Sequence, residues 1–145
     1  MSVEPSAPFV SRQRIYWDML DLLGVLHNSA YLLLFERARF DFWRAHGVGP
    51  NAPDFDWPYV VARNEVNYRA ALTFEQEAQV TVSVQRMGSA SVTFAHRVYA
   101  ENGELAADGI TVLVRLDPHS RQPIPWSESF RQMIAPYQQA ESGLK

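Results

Sequence analysis

A chain of 145 residues has room for one hydrophobic core, and we expect residues 1–145 to form a single domain. Its composition, 47% hydrophobic and 20% charged, is ordinary for a folded protein and argues against a disordered chain. The net charge of −3, from 13 basic and 16 acidic residues, argues against a general nucleic-acid binder, so we expect no nucleic-acid partner.

The residue types that are missing narrow the chemistry further. The absence of cysteine excludes disulfides, thiolate metal sites and cysteine nucleophiles. The four histidines show no metal-ligand spacing and no nucleotide-binding fingerprint is present, so we expect neither metal nor cofactor. Residues 1–8 show no signal pattern, and no apolar run is long enough to span a bilayer. We therefore expect a cytoplasmic protein without a membrane span.

The first part of the chain predicts a tail, a strand and a turn. Residues 1–9 contain prolines and small polar residues and predict a loose tail. Val10–Trp17 predict a strand, and Asp18–Gly24 predict a turn that contains a glycine.

The clearest predicted element is a helix over Ser29–His46. Apolar residues recur at the spacing of one helix face, which comprises Tyr31, Leu34, Phe35, Ala38, Phe42 and Ala45. Charged residues lie mostly elsewhere, at Glu36, Arg37, Arg39 and Arg44. We expect Asn28 or Ser29 to cap the start of the helix and Gly47 to end it. Further apolar side chains predict that other structure wraps the helix, namely Leu32, Leu33, Phe40 and Trp43.

The second half of the chain predicts an antiparallel sheet. We expect strands at Tyr59–Tyr68, Ala78–Gln85, Ser91–Tyr99 and Ala106–Leu116. Asn102-Gly103 is a two-residue hairpin signal between the last two strands. A short helix at Ser127–Ile134, with Ser127 as a candidate cap, precedes a loose tail at residues 136–145. One long apolar helix against such a sheet predicts an α+β layer architecture.

The segment before the long helix carries the clearest candidate chemistry. First-turn amide groups of a helix have unsatisfied donors and partial positive charge, so they stabilise an oxygen that acquires negative charge. Asp21 lies just upstream, close enough in sequence to reach the same space. A carboxylate beside such donors indicates an acyl-transfer site, although most aspartates before helices serve only as caps or solvated turns.

This segment resembles the signature of the 4-hydroxybenzoyl-CoA thioesterase family of hotdog proteins. The family pattern is an aromatic pair, an aspartate, a glycine three residues later and a tyrosine seven beyond it, here Tyr16-Trp17, Asp21, Gly24 and Tyr31. Further blocks follow in the family's order, at Val66–Tyr68, Gly88–Ser91 and Val112–Asp117. The resemblance covers about residues 10–135. This sequence departs from it at Met19, where relatives often have an acidic residue, and in the apolar loop residues Leu22, Leu23 and Leu26.

The resemblance implies a hotdog fold, in which an antiparallel sheet wraps one long central helix. It also implies an acyl-CoA substrate, with Asp21 as nucleophile or general base and the backbone N–H of Asn28 as the donor to the thioester oxygen. Gly24 and Tyr31 are implied substrate-binding positions. Relatives place such sites at a dimer interface, which implies a homodimer or a homotetramer.

Other polar residues give weaker hypotheses. His27 is a candidate second base or orienting group, and a pocket-lining role is favoured. Glu36 is expected to pair with an arginine or a backbone group rather than to act as a base. Arg86, beside Gly88 and Ser89, is the best single candidate for the phosphates of CoA, and these three are the remaining substrate-binding positions.

Three alternatives to an acyl-CoA thioesterase stay open. A thioesterase acting on a carrier-protein thioester has no distinguishing sequence feature. A hotdog domain that binds acyl-CoA without hydrolysis is compatible with the fold, although Asp21 favours catalysis. A hotdog hydratase or dehydratase would have a histidine five residues after the aspartate with Asn-Pro between them; here His27 is six after it and Asn-Pro is absent.

Overall fold

The structure, a computed structural model, describes residues 7–49, 56 and 58–139. Five strands form one sheet: β1 (Phe9–Arg14), β2 (Tyr59–Tyr68), β3 (Glu77–Met87), β4 (Ser91–Tyr99) and β5 (Leu105–Arg115). The long helix α1 (Ala30–Ala45) follows β1, and the short helix α2 (Glu128–Ile134) follows β5. The strand order is β1-β3-β4-β5-β2 and all pairs are antiparallel, so β1 and β2 are the two edges.

One face of the sheet packs against α1 and forms the core. In β3 and β4 alternate residues are buried toward the helix, among them Val80, Val82, Val84, Val92, Phe94 and Val98. The helix contributes Tyr31, Leu34, Phe35, Ala38, Phe42 and Trp43 to the same core. This arrangement, an antiparallel sheet around one long helix, confirms the hotdog fold that the resemblance implied.

The helix differs from its predicted pattern at three places. Ala45, expected on the buried face, is exposed in the last turn, whereas Arg39, expected outside that face, is buried. Leu32, Leu33 and Phe40 are at least 36% exposed, so the described chain does not wrap this side of the helix. Gly47 ends the helix as expected, because its φ of +69° is favourable only for glycine.

The first strand is shorter than predicted, and the hairpin loop before β5 is longer than predicted. The first strand stops at Arg14 because Trp17–Met19 form a 3-10 turn, which leaves Trp17 75% exposed. In β5 the buried positions include Thr111 and Leu113, on the face opposite Ile110 and Val112. The hairpin before β5 has a wider loop than two residues, with Ala100 N–H donating to the carbonyl of Glu104.

The predicted tails are partly ordered. Residues 1–6 and 140–145 lie outside the described residues, but Phe9 already belongs to β1. Tyr137 packs its ring on Phe42 of α1, at 4.8 Å between centroids. Gln139 then donates its backbone N–H to the carbonyl of Val84, at 2.8 Å. The C-terminal tail therefore cannot begin at residue 136, because residues 137–139 cover the edge of β3 beyond the end of β1.

Candidate active site

Asp21 lies in a tight loop between β1 and α1. The N–H of Asp21 donates to the carbonyl of Val25 at 2.9 Å, and the N–H of Gly24 donates back to the carbonyl of Asp21 at 3.0 Å. Gly24 has a φ of +76°, which explains the glycine at this place. The N–H of Leu26 donates to the carbonyl of Leu72 at 2.7 Å, which anchors the loop to the body of the protein.

The carboxylate of Asp21 has one oxygen engaged and one available. Oδ1 accepts a hydrogen bond from the N–H of Leu23 at 2.8 Å, and from that of Val25 at 3.5 Å. Oδ2 has no hydrogen-bond partner among the described residues. The turn therefore orients the carboxylate and leaves one oxygen for a water molecule or an acyl carbon.

Asn28 supplies an unused donor at the start of α1. Its backbone N–H makes no hydrogen bond within the part of the chain that the structure describes. Its carbonyl accepts a hydrogen bond from the hydroxyl of Tyr68 at 3.0 Å, which holds the peptide in place. An N–H at a helix start that is not used by the fold is suited to stabilise negative charge on an oxygen.

Asp21 and Asn28 line one cavity of about 380 Å³. Tyr31 and Tyr68 form a wall of this cavity, with their rings edge to face at 5.2 Å. Burial, and then the neighbouring Tyr68, raises the pKa of the Tyr31 phenol, so this group is neutral at ordinary pH. Three predicted site residues are thus brought together, and Gly24 shapes the loop without lining the cavity.

His27 faces away from Asp21. It lines a second cavity of about 560 Å³, together with Asp18 and Arg37. Its Nδ1 accepts a hydrogen bond from the N–H of Ser29 at 3.2 Å and lies 2.8 Å from the hydroxyl of the same serine. Ser29, one of the two expected caps, is at the N-cap position of α1, but its side chain makes no capping hydrogen bond to the first turn.

Arg86, Gly88 and Ser89 lie at the opposite end of the sheet. The loop of Asp21 pairs with Thr73, before β3 begins, whereas the Gly88 turn follows the end of β3. The 11 residues of β3 separate the two places by roughly 35 Å, at about 3.3 Å per residue. One protomer therefore does not bring the two groups of predicted residues together.

The turn at Gly88 and Ser89 is clamped by the C-terminal helix. The guanidinium of Arg131 donates to the carbonyls of Gly88 and Ser89 at 3.0 and 2.8 Å, and the N–H of Trp126 donates to Ser89 as well. A side chain at Gly88 would lie 2.7 Å from the hydroxyl of Ser91. The N–H of Gly88 donates to the carbonyl of Ser91 at 2.8 Å, so the turn is held from within as well as by Arg131 and Trp126.

Tyr68 and Arg69 are site residues that sequence reasoning missed. Both line the cavity of Asp21, at the end of β2. Arg69 Nε donates to Asp108 at 2.6 Å, and this bond raises the pKa of Arg69 and is the main cause of the lowered pKa of Asp108. The family block Val66–Tyr68 includes Tyr68 without a role in the site, and the pairing of β2 beside the helix start is what places both residues there.

A second polar group, centred on Arg39, lies in the core between α1 and the sheet. Its Nη1 donates to His96 Nε2 at 3.1 Å and to Thr111 Oγ1 at 3.0 Å, and Thr111 donates to Asn64 at 2.7 Å. Burial lowers the pKa of Arg39 to about 10, so it remains charged near neutral pH. The exposed Glu36 forms no ion pair within the described residues, and the predicted pairing is wrong there.

Metal ligands and membrane spans are not found in the described ranges. Among these residues no three histidine, aspartate or glutamate side chains are close enough together to hold an ion. The two described helices are also too short or too polar to cross a membrane.

Comparison with known proteins identifies the family. The model of the thioesterase-like superfamily matches residues 15–134. The chain belongs to the thioesterase-like superfamily. This membership confirms the resemblance to hotdog thioesterases that the signature around Asp21 indicated.

Individual relatives of this thioesterase-like chain agree with that membership. The acyl-CoA thioester hydrolase YbgC of Escherichia coli O157:H7 is 24% identical over 76% of this chain and 83% of its own. A thioesterase from Thermus thermophilus, solved with coenzyme A and Zn, is 31% identical, with a TM-score of 0.74 over 95% of this chain and all of its own. A Staphylococcus aureus protein solved with CoA, 18% identical, has a TM-score of 0.84 over 98% of this chain and 92% of its own, which shows the shared fold.

Proposed function

We propose that this protein is an acyl-CoA thioesterase, an enzyme that hydrolyses the thioester bond of an acyl-CoA to a free acid and CoA. The observation that carries the proposal is one cavity lined by both Asp21 and Asn28, with a carboxylate oxygen and a backbone N–H that have no hydrogen-bond partner among the described residues. The relative named an acyl-CoA thioester hydrolase and the relative solved with coenzyme A support the substrate.

The chemistry follows from these two groups. The thioester oxygen accepts a hydrogen bond from the N–H of Asn28, and such a donor typically contributes roughly 3 kcal/mol to stabilising the oxyanion. As general base, Asp21 takes a proton from water while the water oxygen attacks the acyl carbon. The C–S bond then breaks, and the proton passes from Asp21 to the departing sulfur. As nucleophile, Asp21 would instead form a mixed anhydride that water hydrolyses.

The complete site is proposed to need two copies of the chain. The edge strand β2 is open along its length, with Val60, Val61 and Tyr68 each more than 40% exposed. Pairing β2 with the same strand of a second copy would satisfy that edge, as a two-fold axis allows. We propose this homodimer as the working unit, alone or within a homotetramer.

The dimer would unite the two separated groups of site residues. Tyr59 at the start of β2 pairs with Arg115, whose N–H bonds to Ala90, so this end of β2 is the end of the Gly88 turn. Antiparallel pairing of the two β2 strands places that end beside the partner's Asp21 loop. The turn at Gly88 and Ser89, with Arg86, would then meet the CoA of the other protomer.

The decisive experiment measures free-thiol release from a panel of aliphatic and aromatic acyl-CoAs. Replacement of the carboxylate in Asp21→Asn is expected to lower kcat by about 10²–10⁴-fold, because it removes the base or nucleophile and leaves the donor at Asn28. The melting temperature of the variant should stay unchanged, since Asp21 Oδ1 bonds only to its own loop.

Asp18→Asn is the matched control. Asp18 lies three residues earlier and lines the cavity of His27, not that of Asp21. It should retain turnover of every ester that the wild-type protein hydrolyses. Equal losses in the two variants, or full turnover in Asp21→Asn, would contradict the assignment, and absence of turnover on all esters would contradict the acyl-CoA substrate.

A further inference from the structure

The backbone N–H of Asn28 lies in a short turn that leads into α1. The carbonyl of His27, in the same peptide unit as this N–H, accepts a hydrogen bond from the N–H of Ala30 at 2.9 Å. In the next peptide unit, the N–H of Ser29 donates to His27 Nδ1 at 3.2 Å. Both bonds join residues of the turn to one another, so they set its shape and not its position against the sheet.

The side chain of Tyr68 connects Asn28 to the sheet. The hydroxyl of Tyr68, the last residue of β2, donates to the carbonyl of Asn28 at 3.0 Å. Among the described residues this is the single hydrogen bond made by the backbone of Asn28, since neither its N–H nor its carbonyl pairs with another backbone group. The donor N–H is therefore positioned in part by a residue that lies 40 places later in the chain.

Tyr68 is held through its backbone and through its ring. Its backbone pairs with Ala107 of β5. Its ring meets that of Tyr31 on α1 edge to face, at 5.2 Å between centroids, which is an arrangement that aromatic pairs favour. Tyr68 also lines the cavity of Asp21 and is 53% exposed, so it borders the space that a substrate would enter. These contacts direct its hydroxyl at Asn28 before any ligand enters the cavity.

The other tyrosine of the cavity wall, Tyr31, does not support the turn. It lines the same cavity, but its hydroxyl donates to the carbonyl of Ala70 at 3.4 Å, beyond the end of β2. Its bond therefore joins α1 to the segment that follows the strand, whereas that of Tyr68 ends on the residue that carries the donor N–H. Lining the cavity and supporting Asn28 are thus separate properties, and Tyr68 combines them.

The position of an oxyanion donor has a strong effect on the rate. Such a donor acts when it lies roughly 2.7–3.1 Å from the place where the negative oxygen forms, and losing one costs on the order of 10²–10³ in kcat. Misplacement by about 1 Å in an active site costs on the order of 10²-fold in rate. The N–H and the carbonyl of Asn28 are joined through a single Cα, so a turn released from Tyr68 moves its N–H as well.

We propose that Tyr68 is a positioning residue for the oxyanion donor, and that its hydroxyl holds the turn so that the N–H of Asn28 points at the thioester oxygen. This inference rests on the proposed thioesterase function and adds a residue to it. Tyr68 transfers no proton and forms no bond to the reacting atoms. It acts through Asn28, and its effect is largest when negative charge develops on the oxygen, so it changes kcat more than KM.

Tyr68→Phe removes the hydroxyl and keeps the ring that meets Tyr31. We expect kcat for an acyl-CoA to fall by about 10–100-fold, with KM changed by less than about threefold. Tyr137→Phe is the matched control, because it removes a hydroxyl that lies 3.0 Å from His46 Nε2 at the other end of α1. It should keep the wild-type kcat even where it lowers the melting temperature more than Tyr68→Phe. Equal losses of kcat in the two variants would mean a general loosening of α1 and would overturn the role of Tyr68.

Infrared spectroscopy separates this inference from the catalytic one. Asp21→Asn is mixed with an acyl-CoA that carries an isotope label at the thioester carbonyl, and the carbonyl stretching frequency of the bound ester is recorded. Adding Tyr68→Phe should raise this frequency, because the hydrogen bond from the N–H of Asn28 is weakened. The comparison holds whether or not the wild-type protein hydrolyses the ester, so absence of turnover contradicts the proposed function and leaves Tyr68 to be judged by the frequency. An unchanged frequency overturns the role of Tyr68, as does an ester that fails to bind.

Discussion

The two sides of α1 differ in what covers them. Toward β1, Ser11 donates to Asp41 at 2.6 Å and Gln13 donates to the carbonyl of Leu34 at 2.9 Å, so the chain closes this side itself. Toward β2, Leu32 is 36% exposed, and Nε and Nη2 of Arg39 have no hydrogen-bond partner among the described residues. Among the described residues the protomer is closed on one side of α1 and open on the other, and the open side is the one that begins at Asp21.

The edges of the sheet show the same asymmetry. The edge strand β1 has an alternating burial pattern and packs on α1 through contacts such as Phe9 with Phe42, 5.4 Å between ring centroids. The edge strand β2 is exposed or half-exposed at every residue, although it pairs along its whole length with β5. A strand that is fully paired on one side and has exposed side chains indicates a surface that binds another layer of structure or a second copy of the chain.

The largest expected effect comes from placing a charged side chain on β2, the exposed edge strand of the sheet. Val61 on β2 and Val10 on β1 are matched in type and exposure, at 46% and 42%. We expect Val61→Lys to dissociate the dimer and to lower kcat/KM by more than tenfold, because each lysine would place an uncompensated charge in the interface between the two β2 strands. Light scattering would show the 16.5 kDa single chain in place of the dimer.

Val10→Lys tests whether the two edges truly differ. It introduces the same charge at the closed edge and should leave both the dimer and the turnover unchanged. If Val61→Lys remained a fully active dimer while Val10→Lys dissociated, the interface would lie at β1. A wild-type protein that is a monomer would remove the dimer from the proposed function.

A smaller effect is expected where β2 and β5 approach α1 most closely. A Cβ at Gly109 would clash with the carbonyl oxygen of Glu65 and would lie 2.9 Å from the ring of Phe35. Gly109→Ala must push β2 away from its partner strand, and we expect it to lower the free energy of unfolding by about 1–3 kcal/mol. Urea denaturation followed by circular dichroism measures this change.

Gly49→Ala is the corresponding control. No atom lies within 4 Å of a Cβ at Gly49, and its φ is not in the left-handed region. Its free energy of unfolding should stay within about 0.5 kcal/mol of the wild-type value. A Gly109→Ala protein of wild-type stability would mean that β2 can shift away from Gly109 at little cost in free energy, and that this strand is more mobile than its contacts indicate.

Much of the fold could be predicted because it follows from local patterns. The bounds of β2 and β4 agree with the prediction at both ends, since both segments are rich in residues that favour strands and β4 also lies between two turns that contain glycine. Ser127 caps α2 as expected, with its hydroxyl accepting from the N–H of Phe130 at 3.2 Å. Helical periodicity likewise located α1, because Tyr31, Leu34, Phe35, Ala38 and Phe42 of its buried face follow the helical spacing.

The rest could not be predicted because it depends on contacts between distant segments. Arg39 was expected outside the buried face, yet Thr111, 72 residues later, gives it a partner inside. The role of Tyr68 depends on β2 returning beside the start of α1. His27 shows the opposite case, since its proximity to Asp21 in sequence indicated a shared pocket and the local turn directs it to another.

The smallest effect concerns the histidine at the boundary between the closed core and the open side. An unfolded histidine has a pKa near 6.5, whereas buried His96 has a pKa of about 3. Between these values the unfolded chain binds a proton that the folded one does not, so acid favours unfolding. His96 should therefore cost about 1.4 kcal/mol of stability for each pH unit below 6.5.

His96→Gln removes this titration while keeping a neutral acceptor and donor in the same place. Urea unfolding is measured at pH 6.5, 5.5 and 4.5. As the pH falls, the free energy of unfolding of the variant should decrease less steeply than that of the wild-type protein, by about 1.4 kcal/mol per pH unit. The exposed His119, changed to Gln, should leave the slope unaltered, and carboxylates contribute equally to all three proteins. Identical slopes for wild type and His96→Gln would mean that His96 accepts a proton in the folded state. Arg39 would then face a second buried cation instead of a neutral ring, and its partnership with His96 Nε2 would be broken by acid.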